Sequence, residues 1–146
     1  METKNHVLTD IDYQVLAEWR YRSRRFMSFS ATAAEAEGLP PQQHQALLAI
    51  KASGPDKLMT VGTLAERLVV APHTATELTG RLVAAGLVAR VVDLADRRRH
   101  TLELTIEAEH ILGRVCIQRN QIIAHARWTK PMNAVNVFSH RSAIRR

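Results

Sequence analysis

The chain has 146 residues, 46% of them apolar, with 20 Lys and Arg against 14 Asp and Glu for a formal charge of +6; that length fits one domain with a real core and argues against two independent ones. Its only cysteine, Cys116, excludes an intrachain disulfide framework, and no apolar run approaches the ~18 residues that span a bilayer, so a soluble protein of the reducing cytoplasm is expected. The basic excess favours polyanionic partners such as nucleic acid, and much of it is concentrated in Arg97, Arg98 and Arg99 and in the terminal Arg141, Arg145 and Arg146.

The opening stretch, Met1 to Asp10, is polar and unlike a secretory signal. From Asp10, the apolar residues Ile11, Val15, Leu16, Trp19, Phe26 and Phe29 recur at mostly helical spacing, with Thr9 or Asp10 as N-cap. The pattern predicts a long helix to about Ala36, stopped by Gly38 and the Pro40-Pro41 pair. Its apolar positions lie on two sides, more than a small core needs, which suggests contact with a second chain. A second helix from Pro40 turns Ala46, Leu47 and Ile50 inward and ends at Ser53-Gly54-Pro55.

A short third helix follows, with Thr60 as cap and Val61, Leu64, Ala65, Leu68 and Val69 on one face. A turn through Val70 and Ala71 leads to Pro72, a favoured first helical residue, and to a fourth helix with Ala75, Leu78, Leu82 and Val83 on its apolar side. Gly86 ends that helix. Beyond it the period becomes extended: Leu87 to Leu94 is rich in β-branched residues, Asp93 to His100 is a charged turn, and Thr101 to Thr105 alternates, together predicting a hairpin. Ala108, Ile111, Leu112, Val115, Ile122, Ile123 and Ala126 then form the stripe of a second long helix, broken at Lys130-Pro131. Val135 to Arg145 suggests a short basic terminal helix. The neighbours of Cys116, Val115 and Ile117, favour a buried structural thiol over a redox sensor.

Two short helices joined by a tight turn and followed by strand, turn and strand are the order of a winged helix. The second helix of such a module fits the major groove, where its N-terminal residues reach base edges. Here those residues are Pro72, His73, Thr74 and Thr76, with Thr79 one turn on and Arg81 beyond it. Hydroxyl side chains suit phosphate contacts or packing on thymine methyls, and His73 suits a guanine or a phosphate. The plainer reading, ordinary capping and solvent-facing residues, stays open for each of them. The turn Asp96-Arg97-Arg98-Arg99-His100 is more informative, because it crowds four potentially cationic side chains where an arginine can enter the narrow minor groove. Asp96, two residues from Arg98, is expected to brace that guanidinium. A solvated charge run is the alternative, and it weakens once the run sits at wing distance from a helix-turn-helix.

The stretch from Leu39 to Thr105 resembles the multiple-antibiotic-resistance regulator (MarR) family. The resemblance is carried by Leu64-Ala65-Glu66-Arg67-Leu68, Thr76, Arg81-Leu82, Gly86-Leu87-Val88 and Arg90, and by a wing signature of Asp96, Arg98, Leu102, Leu104 and Thr105. Departures are Glu77, where many members have a basic or neutral residue, Gly80, where an acidic residue often braces the wing arginine, and Ala108, which replaces a common glycine. The resemblance implies a mainly α fold: a winged helix-turn-helix over residues 39–105, flanked by a dimerisation helix over 10–36 and C-terminal dimerisation helices over 106–146, all in one domain. It also implies a homodimeric, ligand-responsive transcription regulator, a repressor, that binds double-stranded DNA and no membrane. A small phenolic or anionic effector would enter a cleft for which Trp19, Arg22, Phe26, His44 and Leu47 are the candidates, with packing in the core or interface as the alternative role of the aromatic residues.

Other chemistry finds little footing. Glu107 and His110 lie one helical turn apart with no second cluster at metal spacing, no glycine loop cradles a phosphate, and no nucleophile motif is present, so neither a cofactor nor an enzyme is expected. Few aromatic residues argue against a stacking platform for single strands. A winged helix used only for protein contact or dimerisation is the competing function; it has no need of an arginine-rich tip.

Overall fold

A computed structural model of the chain describes residues 8–54, 58–93 and 96–117. The elements are α1 (Asp10–Ala36), α2 (Pro41–Ser53), α3 (Val61–Leu68), α4 (Pro72–Ala84), β1 (Val88–Val92), β2 (His100–Leu104) and α5 (Ile106–Ile117). This is the expected mainly α plan, with one two-stranded antiparallel sheet among the described residues. The expected continuation of the last helix through Ile122, Ile123 and Ala126, and the terminal helix from Val135 to Arg145, lie outside the described residues. Contacts divide the chain into two compact units, one holding residues 8–29 and the other residues 30–117.

In the first unit, α1 starts at a reciprocal cap. The Thr9 backbone N–H and hydroxyl both donate to the Asp12 carboxylate, at 2.8 and 2.7 Å, and the Thr9 hydroxyl accepts from the Asp12 N–H at 3.4 Å. Along the helix, Arg22 pairs with Glu18 at 2.5 Å, and the Arg25 guanidinium lies 5.8 Å from the Tyr21 ring centroid. Ile11, Val15, Leu16 and Trp19 are all at least half exposed.

The second unit holds the core. Ala34, Leu39, Ala46, Leu47, Ile50, Met59, Leu64, Leu78, Leu82, Leu87, Val88, Leu102, Ala108 and Leu112 form one buried cluster drawn from every element of the unit. Met59 and Leu39 belong to it although neither lies in a periodic run. The Leu102 N–H donates to the Met59 carbonyl at 2.7 Å, so the segment before α3 adds one ladder bond to β2. Cys116 is half-buried and packs against the cluster. Two ion pairs fasten α5 to the body: Arg114 to Glu37 at 2.9 Å, and Lys51 to Glu109.

Three of the described helices end on the same closure. After α1, Leu39 N–H reaches the Ala34 carbonyl and Gly38 N–H the Glu35 carbonyl; after α4, Leu87 reaches Leu82 and Gly86 reaches Val83. Gly38 and Gly86 take φ of 72° and 71°, the left-handed turn that a missing Cβ permits. After α3, Val70 reaches Ala65 and Val69 reaches Glu66, with Val69 itself at φ 55° and ψ 47°. A β-branched residue is strained there, and Val69 is 91% exposed, so no burial of its side chain offsets the strain.

Candidate nucleic-acid interface

The turn between α3 and α4 sets the angle of the second helix. Thr60 caps α3 as expected, its hydroxyl accepting from the Thr63 N–H at 3.2 Å. Pro72 opens α4, as expected of a residue whose missing N–H costs nothing at that position. Ala75, Leu78, Thr79 and Leu82 face the core, and Pro72, His73, Thr76, Glu77, Gly80, Arg81 and Ala84 are exposed, a stripe at spacings of three and four. Thr74 is half-buried beside a hollow of about 50 Å³ that it lines with Gln42, Gln45, Leu68, Val70 and Leu78. Ligand pockets are generally of about 300–1,000 Å³, so this hollow is too small to hold an effector.

Two expectations for α4 are corrected. Thr79 is fully buried, and its hydroxyl finds no hydrogen-bond partner among the described residues. It stands four residues after Ala75 and three before Leu82, on the core face, and it packs there instead of meeting a nucleic acid. Val83, expected on the apolar side, is 39% exposed. The Thr76 hydroxyl donates to the Pro72 carbonyl at 3.0 Å on the exposed side of the helix. Arg81 lies 4.0 Å from Glu77, both side chains about two-thirds exposed.

The wing is a paired hairpin with Val88 opposite Leu104, Arg90 opposite Leu102 and Val92 opposite His100. Its base is tied down by Thr105, whose hydroxyl donates to the Gly86 carbonyl at 2.8 Å and accepts from the Ala108 N–H at 3.3 Å to cap α5. At the tip, Asp93 N–H donates to the Arg99 carbonyl at 3.0 Å and Arg99 N–H to the Asp96 carbonyl at 2.9 Å. The Asp96 carboxylate accepts from the backbone N–H of Arg98 at 3.0 Å. Asp96 therefore braces the backbone of the turn and not the Arg98 guanidinium, as its two-residue separation favours. Arg97, Arg98 and Arg99 are all exposed, and among the described residues none of the three has an acidic partner. The turn thus presents three guanidinium groups to solvent on a pinned backbone.

The residues expected around an effector divide. Trp19 and Arg22 are exposed and Phe26 is half-buried, all in the first unit. His44 and Leu47 belong to the second unit and are buried; Leu47 is a core side chain with no exposure, so it packs and lines no open cleft. No three His, Cys, Asp or Glu side chains among the described residues form a group able to hold a metal ion. No described helix is long and apolar enough to cross a membrane.

The sequence profile of the MarR family matches residues 37–99. The HTH-type transcriptional regulator YcgE of Bacillus subtilis is 32% identical over 112 residues, 76% of this chain and 70% of that protein. The transcriptional activatory protein BadR of Rhodopseudomonas palustris is 39% identical over 79 residues, 54% of this chain, and the match spans only 45% of BadR. Among solved structures, a point mutant of S. aureus MepR bound to an oligodeoxyribonucleotide superposes with a TM-score of 0.61 at 19% identity, covering 92% of this chain and 93% of that one.

Proposed function

The chain belongs to the MarR family, and from that premise we propose that it is a sequence-specific, double-stranded DNA-binding transcription regulator. It acts in the cytoplasm as a homodimer on a pseudo-palindromic operator, with half-sites about one helical turn, roughly 10 base pairs, apart. The observation that carries this reading is the combination, within one compact unit, of the exposed α4 stripe and a wing tip with three exposed arginines that have no acidic partner among the described residues. On this reading His73, Thr76 and Arg81 face the major groove and Arg97 to Arg99 reach the adjacent minor groove or its phosphates. The likeness of the fold to a MepR variant that is bound to an oligodeoxyribonucleotide supports DNA as the partner. The exposed apolar positions Ile11, Val15, Leu16 and Trp19 supply the dimer surface.

Regulation is proposed as repression by operator occupancy, relieved when a small phenolic or anionic effector shifts the population of operator-competent dimers. Of the candidate effector residues, Trp19 and Arg22 are the exposed ones, and Arg22 is not among the positions assigned to the dimer surface. BadR is named for activation, and a reporter fused to the selected operator separates the two signs: repression predicts higher expression when the gene is deleted.

Arg98→Ala tests the reading itself. A mobility-shift titration on a duplex selected from a random pool is expected to show at least about fivefold weaker binding with the dimer intact, as for loss of a charge-assisted contact. Unchanged affinity would remove Arg98 from the interface, and failure of the wild-type protein to retain any duplex would favour a protein-contact module instead.

A further inference from the structure

The positive charge of the wing does not stop at its tip. Directly opposed residues share a face of the hairpin, so Arg90, Val92 and His100 stand on the side that carries Val88 and Leu102, with Ala89, Thr101 and Glu103 on the other. That first face is buried at its base, where Val88 and Leu102 are each 3% exposed, and it runs out past the edge of the core, where Arg90, Val92 and His100 are exposed. Its exposed polar positions are thus one arginine and one histidine, diagonal to each other on adjacent strands.

The charged groups around His100 are of one sign on this face. They are Arg90 across on β1, and Arg97, Arg98 and Arg99 on the turn that His100 closes. The carboxylates are placed otherwise: Glu103 and Asp93 fall on the opposite face by alternation, and Asp96 accepts the Arg98 backbone N–H at 3.0 Å. A neutral imidazole adds no charge to this surface. Protonation, which imidazoles ordinarily undergo between about pH 5 and 8, adds a positive charge and a second N–H donor. A phosphate brought against the wing favours the protonated ring, so proton uptake and duplex binding assist each other. His73, the other exposed imidazole of the candidate interface, differs: Glu77 follows it one helical turn later, and the first turn of α4 disfavours positive charge.

We infer that His100 is a further DNA-binding residue whose contact is made in the protonated state, so that the grip of the wing on duplex DNA strengthens as pH falls through the neutral range. This rests on the DNA-binding reading above. It extends that reading from a fixed cationic tip to a wing whose charge follows pH.

The test titrates a duplex selected from a random pool with the wild-type protein, His100→Gln and His100→Arg, at about pH 6 and about pH 8, with thermal melts of all three under both conditions. The wild-type protein is expected to bind about tenfold or more tighter at the lower pH, through one added contact per protomer, and with a log-log salt slope steeper by about 2. His100→Gln should lose that difference. His100→Arg, which keeps the charge at both pH values, should bind at the higher pH as tightly as the wild type does at the lower one. Wild-type affinity equal at the two pH values, or a difference that survives in His100→Gln, overturns the inference and leaves the DNA-binding reading standing. So does a His100→Arg protein that melts like the wild type yet binds no tighter than it at the higher pH. A wild-type protein that retains no duplex at either pH overturns both.

Discussion

The first half of α1 and the whole of α2 carry apolar residues at the same helical spacing and meet opposite fates. In α2, Ala46 and Leu47 have no exposure and Ile50 has 5%. In α1, Ile11 is 64% and Trp19 54% exposed. Periodicity therefore identifies a face that needs a partner, and the rest of the chain decides whether that partner is internal. For α2 it is the core cluster shared with α3, α4, β1, β2 and α5. For α1 we propose a second copy.

That contrast can be broken by mutation. Leu47→Ala should cost about 2–5 kcal/mol in a urea melt, because a fully enclosed side chain leaves a cavity. A loss under 1 kcal/mol would mean that the second unit is not packed as described. Trp19→Ala should instead act on assembly, raising the dimer dissociation constant at least about tenfold in sedimentation equilibrium while the helical signal holds. If it destabilises the isolated chain as Leu47→Ala does, the two helices are not different in kind.

Smaller effects sharpen the picture of the second unit. Val69→Gly should raise stability by about 0.5–1 kcal/mol, since relief of the left-handed strain exceeds the extra chain entropy of glycine. A loss on calorimetry would show that the valine is held there by something outside this unit. Lys51→Met should change stability by less than about 1 kcal/mol, as both members of its ion pair with Glu109 are roughly half exposed.

Most of the fold was legible because its signals are local. The bounds of α1, the Thr60 cap, Pro72 at the start of α4, the stop at Gly86 and the hairpin all follow from spacing and turn chemistry within a few residues. The ion pairs Glu37–Arg114 and Lys51–Glu109 were not legible, since their partners lie far apart in the chain. Neither was the ladder bond from Leu102 to Met59, made by a segment with no strand pattern of its own. In the candidate site, the wing arginines were readable as a charge cluster, but the role of Asp96 was not, because a carboxylate two residues from an arginine can serve its side chain or its backbone. Thr79 was misplaced by residue type alone, although its spacing from Ala75 and Leu82 already put it on the buried face.

The central claim, that the second unit grips duplex DNA through a basic wing, is tested most directly by the salt dependence of binding. For about six phosphate contacts the log-log slope of affinity against salt should be near −5, and replacing Arg97, Arg98 and Arg99 together by alanine should flatten it by about 2–3. A wild-type slope near zero, or a slope that the triple substitution leaves unchanged, would contradict the account.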